Sequence, residues 1–200
     1  MPTPQQDREA RPVLLEAYRL RGLPAPSLAE LQTAQAIARF EGGYGLGWPK
    51  RIQPPPHNWG AVQCGHVAPC GPGCFEHLDH HADGSAYMGC FRRYPSRVAG
   101  AADFLRQLYR RTGVPEAMRK GDAMATATAM RSTGYFEAPA NRYAQAIADN
   151  AAAIAASLGE RTAVQLQTGD IDGWIKVLTL GAMVAGAIKA ARDSLSNDEG

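Results

Sequence analysis

The stretch LAELQTAQAIARFEGGYGLG, residues 28–47, constrains the chain more than any other. Ser27 with Glu30 three positions on is a capping-box signature for a helix start. Leu28, Leu31, Ala34, Ala38 and Glu41 then share one stripe at spacings of three and four, with Ile37 beside it, so the segment reads as a helix entering a core. Its last turn carries a carboxylate, and two glycines follow at once. Burial and the negative end of the helix dipole both disfavour an ionised Glu41. A carboxylic acid that keeps its proton near neutrality can hand it to a leaving oxygen. Gly42 and Gly43 permit a sharp turn and leave room for a ligand beside the acid. The rival reading is a glutamate that frays into solvent where its helix ends, and position alone leaves both open.

The other elements point to an α+β chain, mainly α, with a helical domain and a small β-hairpin lobe. Residues 1–12 read as a loose tail, and 13–22 as a short helix closed by Gly22. Residues 42–58 are rich in glycine and proline and read as loop. NWGAVQC (58–64) and SAYMGCFRRY (85–94) read as two short strands, joined by a long Cys/His loop as a decorated hairpin. Helices are predicted over about 96–111, 122–132 and 139–158, the last with Tyr143, Ile147, Ala151, Ile154 and Leu158 on its apolar stripe. Residues 173–191 read as an apolar helix whose charge-free run, 177–188, is short against the roughly 20 residues of a bilayer span. A packed or interfacial helix and a C-terminal membrane anchor are its two readings. The implied division is 1–26 (tail and short helix), 27–160 (main domain) and 161–200 (linker and C-terminal apolar helix).

With 200 residues, 45% of them hydrophobic, the chain can bury one ordinary core. A net charge of +2 gives no support to a nucleic-acid partner. The polar opening MPTPQQDREARP has no apolar h-region, so no signal peptide is visible.

EGGYGLG followed by NWGAVQ resembles the lysozyme superfamily, specifically the bacterial glucosaminidase family that includes flagellar-type peptidoglycan hydrolases. Glu41, Gly43, Tyr44 and Gly45 match that family's motif around the catalytic glutamate, while Gly42 stands where serine is usual. CFRRYPSRVAGAADFLRQL (90–108) and GYFEAPANRYAQAI (134–147) are similar to its later segments, in the same order. The resemblance covers about residues 27–158. It implies a lysozyme-like fold and cleavage of β-1,4 bonds between N-acetyl sugars of peptidoglycan, with Glu41 as general acid. It implies a catalytic contribution from Tyr143, whose bland alternative is a core tyrosine. Asn58 and Trp59 are expected to line the cleft, the indole against a sugar face and the amide on a polar substituent. Tyr44 and Tyr135 are further substrate-binding candidates. Glycosidases commonly need a second carboxylate. Glu76, Asp79 and Asp83 lie where this superfamily often places it, and the substrate's own acetamido group is the alternative.

CGHVAPCGPGCFEHLDHH brings Cys64, Cys70 and Cys74 together with four histidines, and Cys90 returns on the next strand. Two disulfides are the favoured reading, with zinc held by this loop as the lesser one; no other cofactor or metal is expected. Pairing of 58–64 with 85–94 would bring Cys64 to Cys90 and leave Cys70 and Cys74 for a local bridge, although four cysteines allow three pairings. Arginines 92, 93, 97, 106, 110 and 111 read mainly as a solvated face. The expected partner is the glycan strand of peptidoglycan, with membrane association open through 173–191. The expected location is the cell envelope or the exterior. A lytic transglycosylase and a non-catalytic wall-binding module are the rival functions.

Overall fold

The computed structural model describes residues 2–48, 52, 55–67, 69–81 and 83–166. The apolar segment 173–191 lies outside them, and among the described residues no helix is long and apolar enough to cross a membrane. The described residues form six helices and one small antiparallel sheet, a mainly helical α+β arrangement.

Helix α1 (Pro4–Leu20) covers most of the segment expected to be a tail. Thr3 and Gln6 form a reciprocal capping box, Pro4 opens the first turn, and the helix runs on through Pro12. The following helix, α2 (Leu28–Gly42), starts at Ser27, whose hydroxyl accepts from the Glu30 backbone. It is buried nearly all round, with Ala34, Ala36, Ile37 and Ala38 fully enclosed. Its buried polar groups are all engaged. Gln32 donates to the Arg161 carbonyl and accepts from the Ala163 backbone, and Gln35 donates to the Asp7 carbonyl. A stripe of small apolar residues thus marks the centre of the domain, where neighbouring helices approach closely.

The lobe differs from a two-stranded hairpin. Strands β1 (Gln63–Val67), β2 (Cys74–His80) and β3 (Ala86–Arg92) form a sheet of order β1-β3-β2, with β2 built from the expected Cys/His loop. Residues 58–62 precede the first strand. The remaining helices are α3 (Arg97–Tyr109, capped by Ser96), α4 (Val114–Lys120), α5 (Ala123–Ser132, capped by Asp122) and α6 (Ala140–Leu158). Only α4, at seven residues, had no counterpart in the sequence reading.

Side chains alternate across the sheet. Phe75, His77 and Asp79 share one face of β2 and stand opposite Phe91, Gly89 and Tyr87 of β3. Trp48 packs its ring against Phe75, His77 and Phe91, which defines that face as the inner one. The cysteines occupy the other face: Cys90 stands opposite Glu76, and Cys64 follows the inward Gln63. They join as Cys64–Cys74 and Cys70–Cys90, one of the three pairings the sequence leaves open and not the one that pairing of 58–64 with 85–94 would bring. The extra strand is the reason, because β2 pairs along the other edge of β3, its first residue Cys74 lies within disulfide reach of Cys64, and the turn carrying Cys70 comes back to Cys90 of β3. All four sulfurs are consumed in these bonds, leaving no thiolate to hold zinc. Three strands with one apolar face packed hold together where a lone hairpin is marginal, and the sulfur bridges further tie β1 to β2 and the Cys70 turn to β3.

Candidate active site

Glu41 occupies the last turn of α2, and Gly43 closes the helix in the left-handed conformation at φ 51°. Gly42 lies where a Cβ would come within 2.6 Å of the Asn58 carbonyl oxygen. A Cβ on Gly100 of α3 would fall 1.8 Å from the His57 carbonyl oxygen. The loop at 57–60 is therefore clamped between the end of the acid's helix and α3, and both contacts require glycine. This accounts for Gly42 at the position where the resembled motif carries serine.

The Glu41 residue keeps a fraction of its surface in solvent while its carboxyl group is enclosed. Desolvation pushes the acid up to about 7; the Tyr143 hydrogen bond opposes this, and the nearby negative charge of Asp79 adds to it. The Tyr143 phenol donates to Oε1 of Glu41. Burial and the neighbouring Glu41 hold that phenol well above its usual range, so it stays protonated and able to donate. Its ring stacks on Phe136 at 3.9 Å between centroids and meets Phe40 edge-on at 5.2 Å. Tyr135 stands close enough for Glu41 to act on its phenol, donates to the Gly60 carbonyl at 3.1 Å, and packs beneath the Arg111 guanidinium. Two phenols and an acid are thereby gathered from α2, α6 and the segment before α6.

Three expected cleft residues lie elsewhere. Asn58 is fully buried; its amide donates to the carbonyls of Val62 and Arg92, and its oxygen accepts from the Val62 backbone. It fastens the clamped loop to the end of β3. Trp59 is fully buried beside Tyr44, and Tyr44 is itself fully buried with its hydroxyl donating to Asp7 at 2.6 Å. An asparagine before a tryptophan suits either a sugar cleft or a loop clamp, and only the packing of Gly42 and Gly100 against the loop decides between them.

The sheet supplies what sequence reasoning left unranked. Of Glu76, Asp79 and Asp83, only Asp79 projects from the inner face of β2 and acts on Glu41. Glu76 points outward, and Asp83 is taken up by the Ser85 backbone and hydroxyl in the turn. Alternation along CFEHLDH would have ranked them, had the segment been read as a strand. Trp48 was also missed, although it keeps some exposure and joins the lobe to the clamped loop through its indole N–H on the Asn58 carbonyl at 3.0 Å. A lone tryptophan in a proline-rich loop carries no periodic signal.

This fold is shared with solved structures of peptidoglycan hydrolases. A peptidoglycan hydrolase mutant from Sphingomonas sp. A1 matches with a TM-score of 0.59 at 20% identity, over 78% of this chain and 99% of that one. The peptidoglycan hydrolase of the same organism matches at 0.54 and 20%, over 80% and 95%. The catalytic domain of the Listeria monocytogenes autolysin Auto matches at 0.51 and 14%, over 79% and 88%. No protein-family model matches the chain, and no curated protein matches it significantly.

Proposed function

We propose that this protein is a peptidoglycan glycosidase that cleaves the β-1,4 bond between N-acetyl sugars, in the manner of an N-acetylglucosaminidase. The observation that carries the reading is the enclosed Glu41 carboxyl, held at about 7 and hydrogen-bonded by Tyr143. A group with that affinity for its proton is loaded at neutral pH and releases it readily, which a general acid needs. Glu41 protonates the glycosidic oxygen, and Tyr143 steadies the carboxylate that remains. Asp79, on the sheet across from Glu41, acts as the second carboxylate, either activating water or stabilising the cationic sugar. Its negative charge also helps Glu41 keep its proton until the substrate arrives.

Likeness of fold to peptidoglycan hydrolases supplies the substrate class. The two disulfides suit an oxidising compartment, so we place the protein in the cell envelope or outside the cell.

Digestion of purified peptidoglycan, wild type beside Glu41→Gln, tests the reading. We expect reducing sugar ends from the wild type and a loss of about 10²–10⁴-fold in the variant. Anhydro ends would instead identify a lytic transglycosylase. Binding to the polymer with no cleavage by the wild type would reduce the protein to a wall-binding module.

A further inference from the structure

The inner face of the sheet carries a polar chain drawn from all three strands. Asp79 of β2 and Tyr87 of β3 are direct cross-strand partners, and the Tyr87 hydroxyl donates to Oδ2 of Asp79 at 2.9 Å. Gln63 of β1 donates its amide N–H to the Tyr87 oxygen at 2.7 Å. The other carboxylate oxygen, Oδ1, accepts from the His80 backbone at 2.9 Å. Beside this chain, the His81 imidazole stacks on the Tyr87 ring at 4.5 Å and 21°.

The direction of these bonds matters. An amide N–H can only donate, so Gln63 fills the acceptor side of the phenol and turns its hydrogen towards Asp79. A carboxylate that takes one bond on each oxygen is fixed in one rotamer. We propose that Tyr87 and Gln63 are positioning residues that aim the Asp79 carboxylate into the cleft opposite Glu41. The inference rests on Asp79 serving as the second carboxylate, and it assigns work to two residues that touch no reacting atom. A tyrosine whose only task was packing would not need a donor on its oxygen from a third strand.

The charged or titratable groups around the relay are Glu41 on α2, His77 on the same inner face, His81 on the Tyr87 ring, and Glu137, which acts on the Tyr87 phenol. Loss of the donor frees the Asp79 carboxylate to leave that rotamer, which lowers kcat while leaving substrate affinity alone, a split that loosened packing alone does not make.

The test compares Tyr87→Phe, Gln63→Leu, Asp79→Asn and the Tyr87→Phe/Asp79→Asn double variant in the full chain, measuring kcat and KM on purified peptidoglycan. Tyr87→Phe is expected to lower kcat about tenfold with KM unchanged, as for one hydrogen bond to a charged group. Gln63→Leu shows the same change more weakly. The double variant is expected to match Asp79→Asn alone. Wild-type kcat in Tyr87→Phe, with Asp79→Asn inactive, overturns the relay and leaves the second carboxylate standing. A further loss in the double variant also overturns it, since Tyr87 would then act apart from Asp79. Full activity of Asp79→Asn overturns the role of Asp79 and the relay together.

Discussion

The Tyr143 phenol and the Glu41 carboxyl, 102 positions apart in the chain, are joined by a hydrogen bond that opposes the effect of burial on the acid. Removing the donor in Tyr143→Phe lets burial act unopposed and moves Glu41 above about 7. The alkaline limb of the rate profile, where the acid loses its proton, is expected to shift to higher pH. The rate at the optimum is expected to fall about tenfold. A pH–rate profile of the variant beside wild type checks both.

Asp79→Asn is expected to shift the same limb the other way. The Asp79 charge raises Glu41, so neutralising it lets Glu41 ionise at lower pH. Opposite displacements in the two variants would tie the alkaline limb to Glu41, and the same profiles measure them.

Glu41 also makes stability depend on pH. Its folded-state affinity for the proton is raised from 4.5 to about 7, so the folded chain binds more protons than the unfolded one across that window. Stability is therefore lost as pH rises from about 4.5 through 7. Glu41→Gln, which cannot ionise, is expected to be more stable than wild type at pH 8 by about 2 kcal/mol, and nearly equal to it at pH 4. Urea unfolding at the two pH values reads the difference.

Reduction of Cys64–Cys74 and Cys70–Cys90 is expected to abolish activity while sparing the helices. The two bonds close segments of 10 and 20 residues and brace the three-stranded sheet. Each contributes about 2–4 kcal/mol to holding the lobe that carries Asp79. Far-ultraviolet circular dichroism after mild reduction should keep its helical signal as wall clearing disappears.

Gly100→Ala is expected to cost more than about 3 kcal/mol, because its Cβ would lie 1.8 Å from the His57 carbonyl oxygen and a backbone atom cannot yield easily. Thermal unfolding of this variant beside Ala101→Gly, which opens space without a collision, separates the clash from any change in helix propensity.

Much of this arrangement was legible in the residues. The Ser27 cap, the stripe ending at Glu41 and the terminal glycines located the acid and forecast its raised proton affinity. Resemblance in 134–147 then brought Tyr143 to it. Two further features were hidden for local reasons. Pro12 reads as punctuation, yet α1 runs through it, because the packing of Ala10, Leu14, Ala17 and Tyr18 outweighs one missing N–H. The strand CFEHLDH alternates correctly, but glycine, proline and cysteine around it signal a loop, and its pairing with β3 is a long-range event. Asn58 and Trp59 misled because residue chemistry does not say whether a side chain faces sugar or protein.

Asp7 lies in α1, outside every motif by which the catalytic region can be recognised, yet it is 1% exposed and accepts from the Tyr44 hydroxyl and from Arg39 at 3.0 Å. A chain trimmed to Ser27, where those motifs begin, would retain every residue proposed to act on the sugar. It would also leave the largely enclosed Arg39 guanidinium, two residues before Glu41, without its counter-charge. Engineering that starts from recognisable motifs would thus discard the footing on which the last turn of α2 stands.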